Sequence, residues 1–241
     1  MTAMFGEIAT LVRMQRRLLL TRGRVWSLGV LGAVVVLLAV ITAGADDPPT
    51  AAFQLIRSVG LAGLVPIVSL VFGSAALGDP NEDGTLVHLW LRPISRWSLV
   101  LSSWITASLT GFVFATLPLV LASALTRVGS AFVVGTASSS ALGVLAYSAL
   151  FVALGLRTTR SLAWGLGYIL LWEGSIGQAG TGLSRVAVRT YTSSLLRVFS
   201  EDADVRIRFA TSSLGAVIGA SVACALGLAL GRRLLSRIDT A

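Results

Sequence analysis

The sequence predicts an all-α integral membrane protein, a single domain built on six transmembrane helices, and three observations carry that expectation. The chain is 55% hydrophobic and 12% charged, with a mean hydropathy of +0.84; 241 residues of that composition cannot supply the polar surface a soluble domain needs. Charge-free stretches recur at residues 25–45, 58–78, 97–126, 128–156 and 209–231, each long enough for the roughly 20 residues that cross a bilayer. The basic residues, all nineteen of them arginine, gather between alternate stretches.

Before the first stretch, residues 1–24 place Met4, Ile8, Leu11, Val12, Leu18 and Leu19 near helical spacing, with Glu7, Thr10, Arg13 and Arg17 on another stripe. Such a helix lies in the plane of the membrane interface. Arg16 and Arg17 ahead of three leucines, with Ala43-Gly44-Ala45 downstream, resemble a secretory leader. The apolar run is too long for a signal core, so a retained first span at about 25–45 is expected. The second span, 58–78, and the third, 98–125, carry Pro66 and Pro118, which should kink them and free carbonyls to line a pathway or to be met by neighbours. In the fourth, 131–156, Ser138, Ser139 and Ser140 supply either pathway polarity or hydrogen bonds between helices.

A fifth span at 161–177 is interrupted only by Glu173. This carboxylate could bind a proton, touch a substrate, or be satisfied near the outer interface by an arginine of the following loop; Gly174 and Gly177, which mark a helix end, favour the last. An external segment, 178–208, follows, and Val186, Tyr191, Leu195, Leu196, Val198 and Phe199 within it suggest short interfacial or re-entrant helices. The sixth span, 209–231, repeats small residues at Gly215, Gly219, Ala223, Gly227 and Gly231, a face for close packing within the subunit or between two.

Orientation follows from arginine placement. Arg13, Arg16, Arg17, Arg22, Arg24, Arg92, Arg96, Arg157, Arg160, Arg232, Arg233 and Arg237 fall on one side, which should be cytoplasmic, with both termini. The opposite short loops hold Asp46, Asp47, Arg57 and Arg127. A net charge of +8 then reflects contact with anionic head groups and gives no case for nucleic acid.

Several chemistries are excluded by residue type. Without lysine the chain has neither a Walker A loop nor a Schiff base. His88 and Cys224 are the only histidine and cysteine, so neither a His/Cys metal site nor a Cys/His nucleophile can be assembled. Glu173 alone offers an ionisable group within the spans, which is thin support for ion coupling.

The most informative segment runs from Gly78 to Arg96, between the second and third spans. Residues 82–96 read as a surface helix: Asp83 or Thr85 caps its start, Glu82 and Asp83 complement its dipole, and Pro93 stops it. Leu86, Leu89 and Trp90 share one face, with His88 and Arg92 on others. Glu82-Asp83-Gly84-Thr85-Leu86, then Leu89, then Pro93-Ile94-Ser95-Arg96, resembles the segment after the second span of type-2 ABC permeases. Leu170-Leu171-Trp172-Glu173-Gly174 looks like the end of span five in the same family. The chain departs from the family at Ser102-Ser103, where Gly-Lys is frequent, and at Trp90 and Arg92, where small residues or leucine are common.

What the resemblance implies is the transmembrane subunit of an ATP-driven exporter in the cell membrane. Residues 1–24 would be an elbow helix and 79–97 a coupling helix docked on a separate cytoplasmic ATPase, which binds the ATP and Mg; a second permease, identical or not, would complete the pathway. Glu82, Asp83, Gly84, Thr85, Leu89, Arg92, Pro93 and Arg96 would serve coupling, and Glu173, Pro66, Pro118 and Ser139 are candidates for the pathway or outer gate. An ion-coupled carrier or channel using Glu173, or a membrane scaffold without transport, are the alternatives.

Overall fold

In the computed structural model, residues 2–82, 95–158, 160–173, 187–200 and 211–238 are described, and among them every regular element is helical. Five helices are long and apolar enough to cross a membrane: Arg22–Thr42, Pro48–Pro80, Arg96–Leu125, Ser130–Arg157 and Ser213–Ser236. In chain order the elements are α1 (Thr2–Leu19), α2 (Arg22–Thr42), α3 (48–82), α4 (Arg96–Leu125), α5 (Ser130–Arg157), α6 (161–173), α7 (Val188–Val198) and α8 (Ser213–Ile238).

Amphipathic α1 is separated from α2 by Leu20 and the extended backbone of Thr21, so the break falls ahead of Arg22 and not at the expected 24/25 boundary. Helix α3 starts ten residues before its charge-free window. Asp47 accepts the Thr50 N–H at 3.3 Å, and Pro48 and Pro49 occupy first-turn positions that need no donor. Arg57, expected in a loop, is therefore a helical residue, half-buried.

Both prolines follow a widened stretch of helix. Residues Ile56–Leu64 precede Val65 and Pro66, and Phe112–Thr116 precede Leu117 and Pro118, as π-helix. Proline has no N–H and crowds the carbonyl four residues back; one extra residue per turn moves that carbonyl aside. The register shows in the residue before each ring, since Val65 N–H bonds the Gly60 carbonyl and Leu117 N–H the Phe112 carbonyl, five residues back.

Helix α5 is the hub, packing against α3, α4, α7 and α8 with Tyr147, Phe151 and Val152 fully enclosed. Glycine permits its closest contact: a Cβ on Gly155 would stand 2.4 Å from the Ser74 carbonyl oxygen of α3. The small-residue face of α8 is used within the chain. Tyr191 of α7 fills the space beside Gly219, and Gly227 meets the α5 backbone at Ala149. By contrast α2 buries only the stripe Leu28, Gly32, Val35 and Ala39, and turns Trp26, Val30, Leu37 and Ile41 outward, a surface suited to lipid.

The fifth expected span, 161–177, is described as far as Glu173, as seven residues of α-helix and six of π-helix. Those residues rise no more than about 20 Å, short of the ~30 Å hydrocarbon core.

Candidate functional site

At one end of the bundle Gly78 of α3 lies against Gly155 of α5 and Ser161 of α6, the end of α3 meets the start of α2, and the start of α4 meets α8 through side chains that bracket the 79–97 segment. At its start, Asp79 accepts from Arg24 Nη2 at 2.8 Å, which ties the end of α3 to the start of α2. At its close, Ser95 caps α4 by accepting the Ser98 N–H at 3.0 Å, and Arg232 of α8 lies 5.0 Å from the centre of the Trp97 ring. Glu82 ends α3 and Arg96 opens α4. Asp83, Gly84, Thr85, Leu89, Arg92 and Pro93 lie outside the described residues.

Helix α1 braces the same frame. Leu11, Gln15 and Leu19, spaced by four, form its buried stripe. Gln15 Nε2 donates to Ser103 Oγ at 2.8 Å, while the Thr106 hydroxyl lies 3.3 Å from Gln15 Oε1 and 2.7 Å from the Ser102 carbonyl. Ser103 in turn donates to the Leu99 carbonyl of its own helix. An amide among apolar neighbours thus holds α1 on α4. Gln15→Ala should cost about 1 kcal/mol locally, lowering amide-exchange protection across 2–19 several-fold while α5 stays unchanged.

The second constellation centres on Glu173, which is 2% exposed. Oε1 accepts from the Tyr168 hydroxyl and the Val188 N–H, both at 3.0 Å, and Oε2 accepts the Arg189 N–H at 3.1 Å. Val188 and Arg189 open α7, whose own N-cap is Ala187 and offers no side-chain acceptor. Glu173 supplies the missing cap from fifteen residues upstream and places a carboxylate at the positive end of the helix. Its side-chain partners are backbone amides and a tyrosine; the Arg189 guanidinium reaches only the Glu173 carbonyl, at 3.5 Å.

Contacts fix the depth of this junction. Cβ positions built on Gly135 and Gly143 of α5 meet Phe199 and Thr192, while Val188 shares a cavity wall with Leu150. Helix α7 therefore runs antiparallel to α5, beginning beside Leu150 and passing the middle of α5 at Thr192. Within it, Ser194 Oγ accepts the Thr211 N–H just ahead of α8.

Compared with known families, residues 19–175 match the ABC-2 family transporter protein family. The chain belongs to the ABC-2 family. No curated protein matches it. As an ABC-2 permease it is a multi-pass membrane transport component, of a family that implies partnership with an ABC ATPase and whose members typically lack a nucleotide-binding domain of their own. The matched region takes in α2 to α6, including the 79–97 segment and Glu173.

Other expected pathway residues of the ABC-2 chain fall elsewhere. Pro66 and Pro118 sit at the ends of the π-helical stretches, and a Cβ on Gly32 of α2 would touch the Pro118 ring at 3.0 Å. Ser138, Ser139 and Ser140 bond carbonyls of their own helix at residues 134–137, and Ser139 is fully buried. Among the described residues their hydrogen bonds stay within α5. Gln15 escaped the sequence reading, although its spacing of four from Leu11 and Leu19 marks it on the apolar stripe.

Proposed function

We propose that this ABC-2 chain is the transmembrane subunit of an ATP-driven exporter, paired with a second permease and with two copies of a cytoplasmic ATPase that dock on residues 79–97. The observation that carries the reading is the frame itself. Each end of the segment is tied to a different helix, Asp79 to α2 and Trp97 to α8, while α1 is fastened to α4 a turn and a half further in. A push at the ends of such a segment reaches α2 and α8 directly and α1 through α4. Both termini would then be cytoplasmic, α1 would be the elbow helix, and α6 and α7 together would complete a sixth, split crossing joined through Glu173.

Nucleotide-driven closure of the ATPases would tilt α3 and α4 about their π-helical stretches, where the hydrogen-bond register is already loosened, and open the path on the far side. The test is affinity purification of the tagged chain from gentle detergent with an ATPase assay on the eluate. A stoichiometric P-loop ATPase should co-purify. Changing Gly84-Thr85 or Arg96 should reduce coupling between hydrolysis and transport about tenfold, on the scale of ordinary coupling energies, with insertion intact. A chain that purifies alone, or transport unaltered by these changes, overturns the reading.

A further inference from the structure

Helix α6 packs on α3 and α5, and α8 packs on α5, α7 and α4. Between α6 and α8 one face of α5 is left uncovered. The result is a cavity of about 820 Å³, within the ~300–1,000 Å³ of ordinary ligand pockets. Leu154 of α5, Trp164, Tyr168 and Trp172 of α6, and Leu226 of α8 make its wall apolar and aromatic. Its ends differ in chemistry. Val188, whose N–H is held by Glu173, closes the end beside Leu150. Arg157 and Thr158, the last residue of α5 and its cap, form the other. From Leu150 to Arg157 the helix climbs about 10 Å, so the cavity occupies most of one leaflet, half of a ~30 Å core.

From this geometry we infer that the cavity is a binding site for an anionic lipid, its acyl chain against the aromatic wall and its phosphate at Arg157. Charge selects this occupant. Arg157 lines the cavity, is exposed and forms no ion pair among the described residues. An apolar slot most of a leaflet deep that ends at one exposed guanidinium group matches an amphiphile of that length with a negative head. Occupancy also bears on the transport architecture, because Tyr168 contributes its ring to the wall and its hydroxyl to Glu173.

Trp172 provides the readout. The full chain is placed in phosphatidylcholine vesicles, and phosphatidylglycerol or phosphatidylcholine with brominated acyl chains is added at low mole fraction. The Trp172 signal is the difference between the chain and its Trp172→Phe variant. Brominated phosphatidylglycerol should quench it at about fivefold lower mole fraction than brominated phosphatidylcholine, the preference expected of one basic residue near a membrane surface. Arg157→Gln, a change at an exposed position, should bring the two curves together. Ala223→Phe, which projects a ring from the cavity wall, should raise the mole fraction needed for quenching by either lipid. Equal curves for the unaltered chain, curves unmoved by Arg157→Gln, displacement by soluble glycerol phosphate, or no quenching by either lipid because protein fills the slot, would each overturn the assignment. None of these readouts needs an ATPase, so the exporter reading stands or falls separately.

Discussion

Glu173→Ala is expected to destabilise the protein by about 3–5 kcal/mol, because three donors lose their acceptor at about 1–3 kcal/mol for each one left buried. One substitution leaves the Tyr168 hydroxyl and the Val188 and Arg189 amides without their acceptor. Water cannot replace it at a position 2% exposed. Glu173→Gln should fall between the two, because its amide keeps one oxygen but turns an N–H₂ toward an N–H and surrenders the charge at the helix start. The measurement is the apparent melting temperature in detergent, paired with proteolysis of the 187–200 region, which should become susceptible first. If instead Glu173→Gln melted like the unaltered protein while transport lost its pH dependence, the carboxylate would be a proton site and not a cap.

Gly155 should prove the least replaceable glycine among those described. A methyl group there would stand 2.4 Å from the Ser74 carbonyl oxygen and 3.1 Å from the Ser74 Cα. All of these are backbone atoms of a neighbouring helix, so no side chain can rotate away. Gly155→Ala forces α3 and α5 apart and should cost about 3 kcal/mol, the upper end for overpacking; Gly155→Leu should yield no folded protein. Gly29→Ala and Gly63→Ala are the controls. Each has nothing within 4 Å of the added carbon, and alanine's better helix propensity should leave them neutral or up to about 1 kcal/mol more stable. Monodisperse elution and melting temperature for the four variants would check the contrast.

What the sequence disclosed, and what it withheld, divides along physical lines. Hydropathy windows locate α2, α4, α5 and α8 to within a few residues, because the solvent around a span sets its composition over twenty positions at once. The early start of α3 was hidden by the same method. Arg57 closes the charge-free window, yet a single arginine does not end a helix whose cap, Asp47 with two prolines, lies ten residues upstream. Pro66 and Pro118 signalled irregularity without its kind, since a kink and a π-helical turn both relieve the same clash. Around Glu173 the sequence raised three options, and choosing among them depends on Val188 and Arg189 arriving fifteen and sixteen residues later. No local pattern encodes that approach. Ser102-Ser103 illustrates the opposite case: a departure from the family's habit at Ser103 becomes intelligible once Gln15 is seen to donate to its hydroxyl.

The central position of α5 has a consequence for how the chain is made. Synthesis delivers α1 through α4 before the hub exists. Gly111 of α4 is shaped to receive Val144, and Gly73 of α3 to receive Phe151, so neither can find its final neighbour until the ribosome has passed Arg157. Until then the early helices have only one another to pack against, α1, α2 and α3 all on α4, and the faces that α5 will cover stay turned to lipid. Completion of the bundle is therefore gated by translation of its fourth span, and a nascent chain truncated before that point should be inserted with α1 to α4 only partly packed.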